Sequence, residues 1–215
     1  MASRPATRGN HVKLTSAERL ARQRQAVRRT LLKAAEALLR EQGYEGFSLR
    51  ALAGRVGYTP TTVYLYFKDK DDLVFEVVCE GFKQFDAALR RAVSGARDPW
   101  HRLINIGRAY IAFGLSHPMH YRLMFMQRPA FLTRQRPDNQ QSVMETFGLV
   151  VQAVARAIDA GVLKPGDPQR YCYTFWAGVH GIVALALSAP DWKRSRAWEL
   201  ADVFFPMIRD GLRTG

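Results

Sequence analysis

From residue 69 onward the chain spaces its apolar residues three and four apart and offers no stretch of strand-like alternation, which removes most sheet-containing folds from consideration. Predicted helices cover 69–93, 99–116, a short segment from Pro118, 139–160, 168–188 and 196–212. Upstream, Val27, Leu31, Leu32, Ala34, Ala35, Leu38 and Leu39 keep the same spacing and Gly43 supplies a stop, so a first helix is expected over 21–42. Ser48 suits the N-cap of a compact helix, "LRALAGRV", that ends at Gly57. The fold class that follows is all-α. At 215 residues the chain holds one small and one larger helical domain, expected at 18–68 and 69–215. Residues 1–17 lack apolar periodicity and read as a mobile basic arm, which either enters a minor groove through Arg4, Arg8 or Lys13 or stays a solvated tail.

Charge separates the two parts. Residues 1–70 carry 14 Lys and Arg against 5 Asp and Glu, whereas 71–215 carry 18 against 14. A polyanion partner for the first third follows, either nucleic acid or an anionic membrane surface. A membrane-surface or adaptor role through the arginine face of the first helix would need Trp, Phe or Leu exposed beside those arginines, where the apolar face is required for packing. The run "GIVALALSAP" is too short to cross a bilayer and no apolar segment follows Met1, so the reading is cytoplasmic with no membrane partner. Cys79 and Cys172 stand far apart without metal-ligand spacing and read as packing residues. His117 and His120 have no third ligand nearby, so no metal and no cofactor is expected. Nucleophile, zinc-protease, phosphate-loop and dinucleotide motifs are absent, which argues against an enzyme.

The segment "YTPTTVYLYF", 58–67, has the composition of an edge strand. Thr59 followed by Pro60 overrides that propensity: a threonine cap and a proline at the first helical position start a helix. Val63, Tyr64 and Phe67 are expected to face inward. The hydroxyls and phenols on the other side are poor helix formers, yet they donate to phosphates and offer methyl groups to thymine.

These residues resemble the helix-turn-helix segment of the tetracycline-repressor (TetR) family of bacterial transcription regulators. The resemblance rests on "FSLRALAGRVGYTPTTVYLYFKDKDDLV", with Gly43, Phe47, Ser48, Leu52, Ala53, Gly57, Thr62, Val63, Tyr64, Phe67, Lys70 and Leu73 in place. Thr61 stands where the family usually has glycine, and Leu65 where it usually has Arg or Lys. Further on, "HPMHYRLMF" and "WAGVHG" are similar to a TetR subgroup named for its Trp-His-Gly motif. The resemblance implies a homodimer that places three N-terminal helices on double-stranded operator DNA. Its larger domain would dimerise through the last two long helices and hold a small-molecule effector.

Within that frame Tyr58, Pro60, Thr61 and Thr62 are assigned to base edges or the groove wall, because the start of a recognition helix reaches the bases. Ser48, Thr59, Tyr66 and Lys70, with the Tyr64 hydroxyl, are assigned to phosphates, and Asp69, Asp71 and Asp72 to capping the next helix. For the effector, Tyr173, Trp176 and His180 share one helix face and form either a pocket wall or ordinary core. Gly178 and Gly181 nearby suggest close approach of a helix or ligand. Tyr110, Phe113, Met124, Phe125, Met126 and Phe147 add apolar and polarizable surface, which points to an apolar or aromatic effector. The two-proline segment 126–138 is either a lid or a plain crossing.

Overall fold

The structure, a computed structural model, describes residues 15–94, 96, 98–127, 137–189 and 191–212, without the side chains of 137–144. Residues 1–14 and 128–136 lie outside it, and with them most of the expected arm and of the segment read as lid or crossing. Among the described residues there is no strand.

Helix α1 runs Ser16–Gly46, starting ahead of the expected 21. The reason is a reciprocal cap: Glu18 N donates to Thr15 Oγ1 at 3.2 Å, and Thr15 N donates to Glu18 Oε2 at 2.7 Å. Ser16 and Ala17, assigned to the arm from sequence, are therefore helical. Gly43 breaks the helix at φ 69°, and a last turn continues to Gly46 instead of ending there. Leu31, Ala35, Leu38 and Leu39 are buried, while residues 15–26 stand exposed.

Helix α2, Leu49–Val56, is capped by Ser48 Oγ, which accepts from Ala51 N at 3.2 Å, and closed by Gly57 at φ 72°. Helix α3 is the short Pro60–Tyr64, and α4 is the long Lys70–Ser94. Leu31, Phe47, Leu52, Val63, Phe67 and Leu73 are each at most 2% exposed and form the inside of this head.

The body consists of α5 (Pro99–Ser116), α6 (Pro118–Tyr121) with a π-helical turn Arg122–Met126, α7 (Pro137–Asp159), α8 (Pro168–Ser188) and α9 (Arg194–Leu212). Helix α5 is central, packed on α4, α7, α8 and α9. Two glycines let it approach so closely: a Cβ on Gly107 would meet Phe205 Cε1 at 2.6 Å, and one on Gly114 would run into Val183. Over its full length α8 is apolar enough to cross a bilayer, more than the run at 181–190 suggested. Here that apolarity serves packing against α5, α7 and α9. Helix α4 joins the two parts, touching α1 at one end and α5 and α7 in the body.

Candidate nucleic-acid interface and ligand cavity

At the head, Thr59 Oγ1 accepts from Thr62 N at 3.2 Å and lies 2.9 Å from Thr62 Oγ1, while Pro60 occupies the first helical position. The cap is local, which is why a five-residue helix rich in β-formers persists. Tyr58, Thr59, Pro60 and Thr61 are exposed together, and Thr62 is half-buried beside them. Tyr64 departs from the inward face expected of it: its side chain is 57% exposed, next to Leu65 at 67%. One helical step is 100°, and Val63 and Phe67 fill the inner positions by themselves. Tyr64 thereby joins the outer surface.

Lys70 is half-buried, its Nζ 4.1 Å from the centre of the Tyr44 ring. Tyr44 Oη in turn donates to Asp71 Oδ1 at 2.6 Å, and burial with the Asp71 carboxylate pushes its pKa up to about 12. Asp71 is thus a partner of Tyr44 and not a cap. Capping falls to Asp69, which accepts from Asp72 N at 2.7 Å, and to Asp72, which accepts from Lys68 N at 3.0 Å. Sequence reasoning missed Tyr44, because its bond to Asp71 spans 27 residues.

It also missed two arginines of α1. Arg24 donates to the Leu65 carbonyl at 3.3 Å, and Arg28 pairs with Glu76 at 2.9 Å under the Phe67 ring. The arginine-rich face was visible in the sequence; its docking on the end of α3 was not. Ser48, on the neighbouring cap, is exposed, and Tyr66 is half-buried beneath the Arg24 guanidinium. Replacing Thr59 with alanine should remove the α3 cap and lower head stability by about 1 kcal/mol. Urea denaturation followed by circular dichroism checks this, and an unchanged midpoint would mean packing alone holds α3.

In the body, α4, α5, α7, α8 and the π-turn enclose a cavity of about 340 Å³. Of the residues expected there, Tyr110, Met124, Phe147, Tyr173 and Trp176 line it. Phe113, Met126 and His180 do not. Phe113 is buried against His117, with ring centres 4.7 Å apart, and Met126 is exposed at the end of the π-turn. His180 stands behind the wall, its Nδ1 2.7 Å from Tyr121 Oη and 3.2 Å from Tyr110 Oη. Phe125 lines it as well, and so do Phe82, Phe85, Thr146, Gln169 and Cys172, unforeseen because their shared side arises only when four helices cross.

The polar atoms of the wall are joined to one another. Trp176 Nε1 donates to Tyr110 Oη at 3.0 Å, and Tyr110 Oη is 3.0 Å from Tyr121 Oη. Burial lowers the pKa of His180, so the imidazole is neutral, and burial pushes Tyr110 up to about 12. Thr146 Oγ1 donates to Asp86 Oδ1 at 2.8 Å, and the other Asp86 oxygen accepts from Arg90 at 2.6 Å. Cys172 is a buried thiol raised to about 12, whereas Cys79 is only half-buried.

The glycine reading divides: a Cβ on Gly178 would collide with Phe204, while one on Gly181 would meet nothing within 4 Å. Among the described residues no group of His, Cys, Asp or Glu could hold a metal. His120 is buried with Nε2 3.8 Å from Glu36 Oε1, so α6 touches α1 there.

Two family models match the chain in tandem: "Bacterial regulatory proteins, tetR family" over residues 31–77, and "Tetracyclin repressor-like, C-terminal domain" over 103–209. The chain belongs to the TetR family. The TetR fold is shared with a solved protein of unknown function from Rhodococcus sp. RHA1, at 26% identity and TM-score 0.75, covering 96% of this chain and all of that one. It is shared also with AibR, solved with isovaleryl coenzyme A and operator DNA, at 22% identity and TM-score 0.68, covering 85% and 97%. In sequence the chain is similar to the HTH-type transcriptional regulator Mb1846 of Mycobacterium bovis, 25% identical over 68% of this chain and 74% of that one. As a TetR-family protein it is a transcription regulator and not an enzyme.

Proposed function

We propose that this TetR-family chain is a ligand-responsive repressor that binds a near-palindromic operator as a homodimer and is released by a small apolar or aromatic effector. The observation that carries this reading is the reach of α4, which starts beside α3 at Lys70 and continues to Phe82, Phe85 and Leu89 in the cavity wall. A ligand in the cavity therefore presses on the helix that holds the head. To release DNA the effector must bind the non-operator geometry better than the operator-bound one.

The dimer is supported by apolar side chains left in solvent on α8 and α9: Leu185, Val203 at 58% exposure and Met207 at 66%. Paired through these helices, two copies would set their third helices one DNA turn apart. On α1 the membrane reading finds only Leu20 as a large exposed apolar side chain, too little surface to seat a helix on lipid.

The test is fluorescence anisotropy with the duplex upstream of the protein's own gene, at several salt concentrations and with unrelated competitor DNA. Tight, competitor-resistant binding at two protomers per duplex supports the reading; binding that competitor abolishes on every genomic site tried sinks it. Within the same assay, Lys70→Ala should weaken all sequences alike and reduce the salt slope by about 1, whereas Thr61→Ala should change sequence preference. Identical loss in both variants would overturn this division of phosphate and base contacts.

A further inference from the structure

The polar groups at the inner end of the cavity are bonded to one another. Trp176 Nε1 can only donate, and it donates to Tyr110 Oη. With the His180 proton on Nε2, Nδ1 accepts from Tyr121 Oη at 2.7 Å and Tyr110 Oη is left to donate to Tyr121 Oη at 3.0 Å. In that tautomer the run Trp176 to Tyr110 to Tyr121 to His180 uses the donor protons of Trp176, Tyr110 and Tyr121. Among the described residues, a charge carried inward would then find no free donor at this end and no lysine or arginine in the wall.

The outer end differs. Gln169 and Tyr173 line the cavity yet are exposed, so the mouth lies at the start of α8, next to the exposed Arg170. Here a polar or anionic group keeps its water. At about 340 Å³ the space is near the lower end of small-molecule sites, about 300–1,000 Å³, so it suits one compact apolar body.

We propose that the cavity admits its effector in a single orientation, uncharged apolar end inward against Tyr110 and any charged end at the Gln169–Tyr173 mouth. The effector class is a single-headed apolar molecule. This rests on the cavity being the effector site.

The experiment is isothermal titration of the full chain with decanoate, 1-decanol and decanedioate, alongside operator anisotropy with the same compounds. Decanoate and decanol should bind, and decanedioate, charged at both ends, at least about tenfold more weakly than decanoate. Decanedioate binding as tightly as decanoate, or no binding by any of the three, overturns the proposal. Tyr110→Phe supplies a second readout by freeing the Trp176 N–H to meet a ligand acceptor. In that variant 9-oxodecanoate should gain about tenfold over decanoate relative to the parent protein. No gain in a folded variant refutes the placing of Tyr110 and the Trp176 N–H at the ligand's inner end; if the variant does not fold, the dicarboxylate comparison decides. Discrimination between the two carboxylates with unchanged operator affinity would support the orientation and refute the effector role, so the two readings fail separately.

Discussion

Replacing Phe67 with alanine is expected to cost about 3–5 kcal/mol and to abolish operator binding. Phe67 is 1% exposed and closes the turn that ends α3, its N–H bonded to the Val63 carbonyl at 3.1 Å. It belongs to the same buried cluster as Leu31, Leu52 and Val63, so its loss opens a cavity where three short elements meet. The head has little else to fall back on, because α2 has 8 residues and α3 has 5, lengths that are not stable without packing. The ring also lies against the Arg28 guanidinium, 5.1 Å from its centre, so truncation would remove that contact and leave Arg28 with Glu76 alone. Denaturation monitored beside operator anisotropy provides the check. A variant that kept both its unfolding midpoint and its DNA affinity would show that Phe67 does not hold the recognition helix.

The second large effect is a contrast of sign between two glycines in long helices. Gly114→Ala should destabilise by about 1–3 kcal/mol, because its Cβ would press on Val183 and stand 3.1 Å from Tyr121 Cδ2. Helix propensity pulls the other way by about 1 kcal/mol, and it loses because α5 and α8 are both held by further neighbours. Gly181→Ala meets no atom within 4 Å, so propensity acts unopposed and stability should rise by about 0.5–1 kcal/mol. Thermal unfolding of the two variants beside the parent separates them. Equal shifts in one direction would mean that the α5–α8 approach does not constrain this region.

Much of the head was legible before any fold was built, and for a common reason. The Thr59 cap, the Pro60 start, the Ser48 cap and the Gly57 stop are interactions between residues one to four apart, so the order of residue types is enough to find them. The Thr15–Glu18 box is equally local and simply went unread, which is why α1 begins earlier than expected. Tyr64 failed for a different reason. Its assignment inward needed the number of inner positions a one-and-a-half-turn helix can fill, and Val63 with Phe67 already fill them.

The cavity shows where such reading stops. Trp176 and His180 sit on one helix face, yet one lines the space and the other stands behind it bonded to Tyr121, a partner 59 residues away. Met126 and Phe113 have the right chemistry and the wrong position, whereas Phe82 and Phe85 acquire their place from α4 crossing α5 and α7. Helix content, caps and the charge excess of the first third were thus written in the residue order, because each depends on neighbours along the chain. Which side chains share a cavity, which of its polar groups bond to one another, and which glycine is a contact and which is open were settled by helix packing. Those properties depend on crossing angles and approach distances between segments that the order of residues leaves free.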